Sequence, residues 1–82
     1  MTDLTIYTKP HCQPCAATKR MAARVGLAYE EIDVSADAGA LEFIVGLGYQ
    51  EAPVVVAGEQ SWSGYRPDLI KALAASKEEQ TA

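Results

Sequence analysis

The sequence predicts an α/β domain in which three helices flank a four-stranded mixed sheet, in the order β-α-β-α-β-β-α. Segments that alternate at every second residue, as strands do, are interleaved with segments whose apolar residues recur every three or four positions, as on a helix. The chain has 82 residues, which is enough for one domain, so a single sheet has to supply the core.

The first strand and the first helix are separated by a short break before the cysteines. Residues 4–8 alternate and contain β-branched and aromatic side chains, which predicts a strand. Helical spacing begins at Cys12 and stops at Gly26, a common helix terminator. Pro14 is tolerated in the first turn, where backbone N–H groups have no intrahelical partner. The stripe of this helix expected to point inward carries Cys15, Thr18, Met21, Ala22 and Val25.

The middle of the chain predicts a second strand followed by a second helix. Tyr29 to Val34 alternate, which is typical of a strand. Ser35 can cap the helix that follows, and Gly46 and Gly48 mark its end. The expected buried face of this helix carries Leu41, Ile44 and Val45, with Phe43 as a further candidate.

The last part of the chain predicts a hairpin and a third helix. Residues 53–57 are apolar on both faces, which suits a central covered strand, and residues 60–63 return beside it after a tight turn. Pro67 opens the last helix at its first position. The domain is expected to span residues 1–76, and residues 77–82 to form a fraying polar tail. The inward side chains of the helix are expected to be Leu69, Ile70, Leu73 and Ala74.

The net charge, the N-terminal residues and the lack of a long apolar segment argue against several classes of protein. The net charge is −4, which argues against nucleic acid or anionic membrane as a partner, because both need clustered Lys and Arg. The N-terminus lacks a basic cap followed by an apolar run, and no segment approaches the roughly 20 apolar residues of a membrane span. We therefore expect a cytoplasmic protein, in a reducing compartment where structural disulfides are rare. We also expect it to be a monomer.

Both cysteines of the chain lie in one C-x-x-C, Cys12-Gln13-Pro14-Cys15. Closing so small a loop adds little stability, so the pair is expected to serve chemistry. A helix N-terminus lowers the pKa of a thiol, because the helix dipole and the free N–H groups favour the thiolate. Cys12 is therefore predicted to attack a substrate disulfide, and the inward-facing Cys15 then to attack Cys12 and release the reduced substrate.

Other interpretations of the same region remain open. A structural zinc ion usually takes four protein ligands, whereas this region offers two thiols and His11, so a metal site would need another chain or an outside ligand. Lys9 either stabilises the Cys12 thiolate or is a solvated loop lysine. His11 either shuttles a proton or has no chemical role. The pattern alone does not establish whether the Ala52–Pro53 bond is cis.

Six short motifs together resemble one family. From Leu4 to Leu73 the chain is similar to the NrdH-redoxin family, the glutaredoxin-like members of the thioredoxin superfamily. The resemblance implies a thioredoxin/glutaredoxin-like fold and a dithiol–disulfide oxidoreductase. Its partners would be thioredoxin reductase, as the electron donor, and class Ib ribonucleotide reductase, as the acceptor. No cofactor would be bound, since NADPH and FAD act through the reductase. The motifs are Tyr7-Thr8-Lys9-Pro10, Cys12-Gln13-Pro14-Cys15, Ala17-Thr18-Lys19-Arg20, Gly48-Tyr49-Gln50, Ala52-Pro53-Val54-Val55 and Trp62-Ser63-Gly64-Tyr65-Arg66-Pro67-Asp68.

The resemblance also implies where partners bind. Pro53 would be cis and face the cysteine pair, and the backbone at Ala52 would pair with an incoming substrate strand. The residues expected to contact a substrate or partner are Lys9, His11, Gln13, Pro14, Ala52, Pro53, Trp62, Ser63, Gly64, Tyr65 and Arg66.

Two departures from related families affect the choice of partner. Glutathione-using relatives typically carry Gly-Gly followed closely by an acidic residue, whereas no carboxylate follows Ser63-Gly64 until Asp68, and Arg66 would repel an ammonium group. We therefore predict that residues 62–68 dock the reductase with Trp62 exposed; the alternative is that Trp62 is part of the core.

The Gln13-Pro14 dipeptide replaces the Val-Gln or Met-Gln of most members and resembles the Gly-Pro of thioredoxin. The alternative functions are a glutathione-dependent glutaredoxin and a metal or iron–sulfur carrier.

Overall fold

The computed structural model describes the backbone of residues 2–81 and the side chains of residues 2–77. Its helices and strands follow the predicted order, and β2 and β3 are each one residue shorter than predicted. The elements are β1 (Leu4–Thr8), α1 (Gln13–Arg24), β2 (Tyr29–Asp33), α2 (Ala38–Gly46), β3 (Val54–Ala57), β4 (Gln60–Ser63) and α3 (Pro67–Thr81).

The four strands form one mixed sheet in the spatial order β2-β1-β3-β4. β1 pairs with β2 in parallel and with β3 antiparallel, and β3 pairs antiparallel with β4. The two most apolar strands, β1 and β3, therefore lie at the centre, where both of their faces are covered. The predicted fold class is confirmed.

Alternation along the central strands divides the core into two clusters, one on each face of the sheet. Ile6 and Val55 point to the face covered by α1 and α3, where they pack with Ala22 and Ile70. On the other face, Val54 packs with buried residues of the β2–α2 region, Val34 and Ile44. The sheet is thus a middle layer, and the stripe predicted for α1 does face inward.

Trp62 belongs to this core, so the prediction that it is exposed is wrong. Its side chain is 5% exposed and packs in the cluster beneath α1 and α3. β4 is an edge strand, as expected, but an edge strand exposes only one row of backbone groups and can still bury a side chain on either face. Trp62 lies opposite Val55 and shares its face of the sheet. Its indole N–H has no hydrogen-bond partner among the described residues.

The second helix also differs from the prediction. It is capped by Asp37, whose carboxylate accepts a 3.0 Å hydrogen bond from the Ala40 N–H, whereas Ser35 donates instead to the Asp33 carboxylate. Of the expected buried face, only Ile44 is buried. The helix covers the sheet along a narrow stripe, and the side chains on either side of it are exposed. The exposed fractions are 45% for Leu41, 46% for Phe43 and 57% for Val45.

The last helix extends into the segment that was predicted to be a tail. Its backbone is helical to Thr81, and Lys77 donates hydrogen bonds to the Asp3 carboxylate and the Gly26 carbonyl. The side chains of residues 78–82 in that predicted tail lie outside the described part of the chain. Within the described residues, every helix is too short or too polar to cross a membrane.

Candidate active site

The two cysteines form a disulfide at the N-terminus of α1, with their Cα atoms 5.2 Å apart. Cys12 is the N-cap residue in an extended conformation, and its Sγ accepts a 3.2 Å hydrogen bond from the Cys15 N–H. Cys12 is half-buried, whereas Cys15 is only 2% exposed. A partner can therefore reach the Cys12 sulfur, while Cys15 is held against the core.

The first turn of α1 favours negative charge on the Cys12 sulfur. The helix N-terminus carries unpaired N–H groups and the positive end of the dipole. The first turn contains no acidic residue that would oppose a thiolate. Gln13 and Pro14, between the two cysteines, are exposed, so they form the surface that a partner meets. The turn is held in place by Thr18, whose buried hydroxyl donates a 2.8 Å hydrogen bond to the Pro14 carbonyl.

The loop between β1 and α1 forms one wall of an open groove beside the disulfide. Lys9 and His11 are exposed there, and His11 has a φ of 57°, a left-handed conformation in which histidine is enriched among the non-glycine residues. The groove has a volume of about 500 Å³. Its lining comprises Thr8, Lys9, Pro10, His11, Cys12, Cys15, Ala16, Lys19, Glu31 and Asp33.

A carboxylate that the sequence analysis did not select lies on the opposite wall of this groove. Glu31 of β2 accepts a 2.9 Å hydrogen bond from the Lys19 ammonium of α1 and a 3.0 Å hydrogen bond from the buried Thr8 hydroxyl. The Lys19 hydrogen bond, followed by that of Thr8, lowers the pKa of the Glu31 carboxyl. The groove therefore contains an ionised carboxylate that is already neutralised by a lysine.

The start of β3 contributes the second side of the site. The Ala52–Pro53 peptide bond is cis, and Pro53 is buried. Because Tyr7 pairs with Val54, Pro53 lies at the end of the sheet where β1 leads into the cysteine loop. Ala52 is half-buried beside it, next to the edge at which an extended segment of a partner could pair.

The loop after β4 is tied to Pro53. The Gly64 N–H donates a 2.8 Å hydrogen bond to the Pro53 carbonyl, and Ser63 pairs with Val54. Gly64 has a φ of 84°, which favours glycine because it lacks a Cβ. The structure thus brings Ala52, Pro53, Ser63 and Gly64 together.

The remaining predicted docking residues differ in exposure and lie on different parts of the surface. Trp62 points into the core, whereas Tyr65 and Arg66 are exposed. Arg66 forms a 3.1 Å ion pair with Asp68, and this pairing lowers the pKa of the Asp68 carboxyl. Tyr65 lines a separate groove on the other side of α1. Only the exposed part of the segment can therefore contact a partner.

The described residues contain no group of three or more His, Cys, Asp or Glu side chains placed to hold a metal ion. A metal or iron–sulfur centre at Cys12 and Cys15 would therefore need ligands from outside the described residues. The arrangement suits thiol–disulfide exchange, which needs one accessible sulfur and one shielded sulfur within bonding distance.

Comparison with known proteins agrees with this chemistry. Residues 4–62 match the family model described as Glutaredoxin. The match covers both cysteines, the cis-proline and three of the strands in full. The fold and the C-x-x-C pair thus define a thiol–disulfide oxidoreductase with a thioredoxin-like fold.

Individual relatives show which family of thiol–disulfide oxidoreductases the chain resembles. The glutaredoxin-like protein NrdH of Escherichia coli K12 is 44% identical over 70 residues, 85% of this chain and 86% of that protein. The NrdH protein of Salmonella typhimurium is 41% identical over 71 residues, 87% and 88% of the respective chains. The solved structure of E. coli NrdH-redoxin superimposes with a TM-score of 0.82 at 44% identity, covering 85% of this chain and 92% of that one. The chain belongs to the NrdH-redoxin family.

Proposed function

We propose that the chain is a cytosolic, monomeric electron carrier that is reduced by thioredoxin reductase and in turn reduces class Ib ribonucleotide reductase. No cofactor would be bound to the chain itself, because NADPH and FAD would act through the reductase. The observation that supports this most directly is the half-exposed Cys12 beside the buried Cys15 at the N-terminus of α1, in a chain 44% identical to an NrdH protein.

The exchange proceeds in two displacements on sulfur. The Cys12 thiolate attacks the partner disulfide, forming a mixed disulfide and releasing one partner thiolate, which takes up a proton. Cys15 then loses its proton and attacks Cys12, so that the partner leaves as a dithiol and the Cys12–Cys15 disulfide forms. The structure holds this oxidised product. Thioredoxin reductase would return two electrons, and two protons would complete the two thiols.

Two features of the chain favour thioredoxin reductase over glutathione as the electron donor. The loop after β4 offers no free carboxylate for the amino group of the tripeptide, since the first one, Asp68, is paired with Arg66. The Arg66–Asp68 ion pair also leaves no net negative charge there to attract that ammonium group. In addition, the E. coli relative of solved structure is described as having a thioredoxin-like activity profile.

A coupled assay separates the two donors. NADPH oxidation is followed with the oxidised chain and either thioredoxin reductase or glutathione plus glutathione reductase. We expect turnover with thioredoxin reductase and little with the glutathione system. The reverse result would assign the chain as a glutathione-dependent glutaredoxin.

The acceptor is tested separately. Class Ib ribonucleotide reductase is supplied with a ribonucleotide substrate, NADPH and thioredoxin reductase, with or without this chain. We expect deoxyribonucleotide formation to depend on the chain and to be lost with Cys12→Ser. Equal product formation without the chain would contradict the proposed acceptor.

A further inference from the structure

We propose that a second groove, between α1 and the β4–α3 loop, receives an acidic segment of the protein that reduces the Cys12–Cys15 disulfide. This inference rests on the proposed function and adds to it a docking surface and the chemistry of its occupant. It places docking on a surface of α1 that the sequence analysis did not select and keeps only Tyr65 of the predicted docking segment.

The groove has a volume of about 440 Å³ and carries both cationic and apolar side chains. Arg20 and Arg24 stand one helical turn apart on the outer surface of α1, and both are exposed. Tyr65, 39% exposed, lies on the opposite side of the groove. The other lining residues, Ala17, Met21 and Ala23, are apolar, and the two alanines leave space at the helix surface.

This groove brings two positive charges together in a chain that is acidic overall. The chain carries a net charge of −4, and three of its seven basic residues, Lys19, Arg66 and Lys77, are held in ion pairs. Among the side chains at residues 2–77, neither Arg20 nor Arg24 forms a salt bridge. Two like charges four residues apart on a helix repel each other. An anionic group bound between them would remove that repulsion.

The chemistry of the groove selects a carboxylate of a protein as its occupant. Guanidinium groups bind carboxylates through two parallel hydrogen bonds. Met21 and Tyr65 add an apolar surface that a free inorganic anion would not use. An Asp or Glu side chain beside an apolar residue, in an acidic segment of a partner, satisfies both parts of the groove.

The position of the groove and the disulfide in the structure are our reasons for taking the reductant as the occupant. Ala17, at one end of the groove, lies two residues beyond Cys15 on α1, so an occupant can extend to Cys12 at the start of the same helix. The structure contains the Cys12–Cys15 disulfide and is therefore that of the oxidised chain. The oxidised chain is the form that its reductant must bind.

The test uses thioredoxin reductase and NADPH with the full chain. Arg20→Gln combined with Arg24→Gln removes both charges and keeps residues of similar helix propensity. We expect KM for the chain to rise by about tenfold or more, with kcat little changed, because docking is weakened and the chemistry is not. Tyr65→Ala should raise KM in the same direction. For the wild type KM should rise with salt, and for the double variant it should depend on salt only weakly.

Matched controls separate docking from nonspecific effects. Lys71→Gln removes an exposed positive charge from α3 without touching the groove and should leave KM unchanged. Each variant is also reduced with dithiothreitol and reacted with a small aromatic disulfide, whose rate should equal that of the wild type. Unaltered melting temperatures establish that the fold is intact.

The KM values of the wild type and the variants decide between docking in this groove, no docking there and a wrong electron donor. If the wild type is reduced and the double variant has an unchanged KM, or if Lys71→Gln raises KM equally, the groove is not a docking site for an acidic segment. If thioredoxin reductase fails to reduce the wild type at all, the proposed donor is wrong and this inference falls with it. A KM increase confined to Arg20, Arg24 and Tyr65 establishes the surface.

Discussion

Cys12 and Cys15 differ in accessibility because they occupy different positions on the same helix turn. Cys12 is the N-cap residue, outside the first turn, whereas Cys15 lies on the stripe that also buries Thr18 and Ala22. The same backbone N–H groups that begin the helix are available to the Cys12 sulfur. The difference in accessibility between the two sulfurs therefore follows from where the helix starts.

Replacing the cysteines one at a time tests these roles. Cys12→Ser should abolish reductase activity, because no accessible nucleophile remains. Cys15→Ser should retain the first attack and accumulate a mixed disulfide, which is detected by mass spectrometry under non-reducing conditions. Sustained turnover of the Cys15 variant on protein disulfides, without an added monothiol, would show that Cys15 is not the resolving residue.

The acidity of Cys12 is a second test of the helix start. In the reduced chain, Cys12 should have a pKa below the ordinary thiol value of about 8.5, because the N-terminus of α1 stabilises the thiolate. Thiolate absorbance in the ultraviolet, followed against pH in Cys15→Ser, measures it directly. Lys9→Gln in the same background shows whether the loop lysine contributes. A midpoint at or above the ordinary value would exclude a helix-terminus effect.

Trp62 is predicted to contribute to stability and not to docking. Trp62→Ala should lower the free energy of unfolding by about 3–5 kcal/mol, the usual cost of removing a buried aromatic side chain. Trp62→Phe should cost much less, because it fills most of the space and removes an indole N–H that has no partner among the described residues. Urea unfolding measures both. Nearly equal stability of the alanine variant and the wild type would place the side chain outside the core.

Glu31 joins three elements of the fold. Its carboxylate binds Lys19 of α1 and Thr8 at the end of β1, while its own backbone belongs to β2. These contacts join the middle of α1 to β2 and to the strand that leads into the cysteine loop. The ion pair is partly exposed, with 31% of the Lys19 and 40% of the Glu31 side chain accessible, so solvent screens it.

The contribution of Glu31 should therefore be modest and dependent on pH. Glu31→Gln should lower the free energy of unfolding at neutral pH by up to about 1 kcal/mol. Because folding lowers the pKa of this carboxyl, its contribution is present above the ordinary glutamate value and is lost as pH falls through the folded value. Variant and wild type should then converge in acid. Glu30→Gln, at the neighbouring exposed position, is the control, and a gap that persists at low pH would contradict the ion-pair explanation.

The two ends of the described chain are joined through one carboxylate. Asp3 accepts a 2.9 Å hydrogen bond from Lys77 of α3 and a 2.7 Å hydrogen bond from the Ala28 N–H before β2. The bond from Lys77, followed by that from Ala28, lowers the pKa of the Asp3 carboxyl. The contact lies where α3 passes the predicted boundary at residue 76.

Asp3→Asn should accordingly reduce the melting temperature at neutral pH. The lowered pKa means that the stabilisation exists above the ordinary aspartate value and disappears as pH falls through the folded value. The difference in melting temperature between variant and wild type should therefore shrink as the solution is acidified. Asp37→Asn serves as a comparison, since asparagine caps a helix about as well as aspartate. A difference that grows in acid would have the wrong sign.

The features that the sequence determined are those encoded by neighbouring residues. Alternation identified β1 and β2, the apolar run and the tight turn after it identified β3 and β4, and three- and four-residue spacing identified α1 and its buried stripe. Pro67 placed the start of α3. The roles proposed for Cys12 and Cys15 rest on the same local pattern. These features depend on backbone geometry that repeats every two or 3.6 residues, so a short window of sequence contains the necessary information.

The tertiary structure decided the features that depend on which distant segments meet. Trp62 is buried because β4 aligns it with Val55 beneath two helices, and no local pattern contains that alignment. Glu31 meets Lys19 and Thr8 only because parallel pairing sets β2 beside β1 and within reach of α1. The groove formed by Arg20, Arg24 and Tyr65 likewise joins a helix surface to a loop far along the chain. Strand register and the packing of helices on the sheet position these side chains, and both are set by contacts between segments remote in sequence.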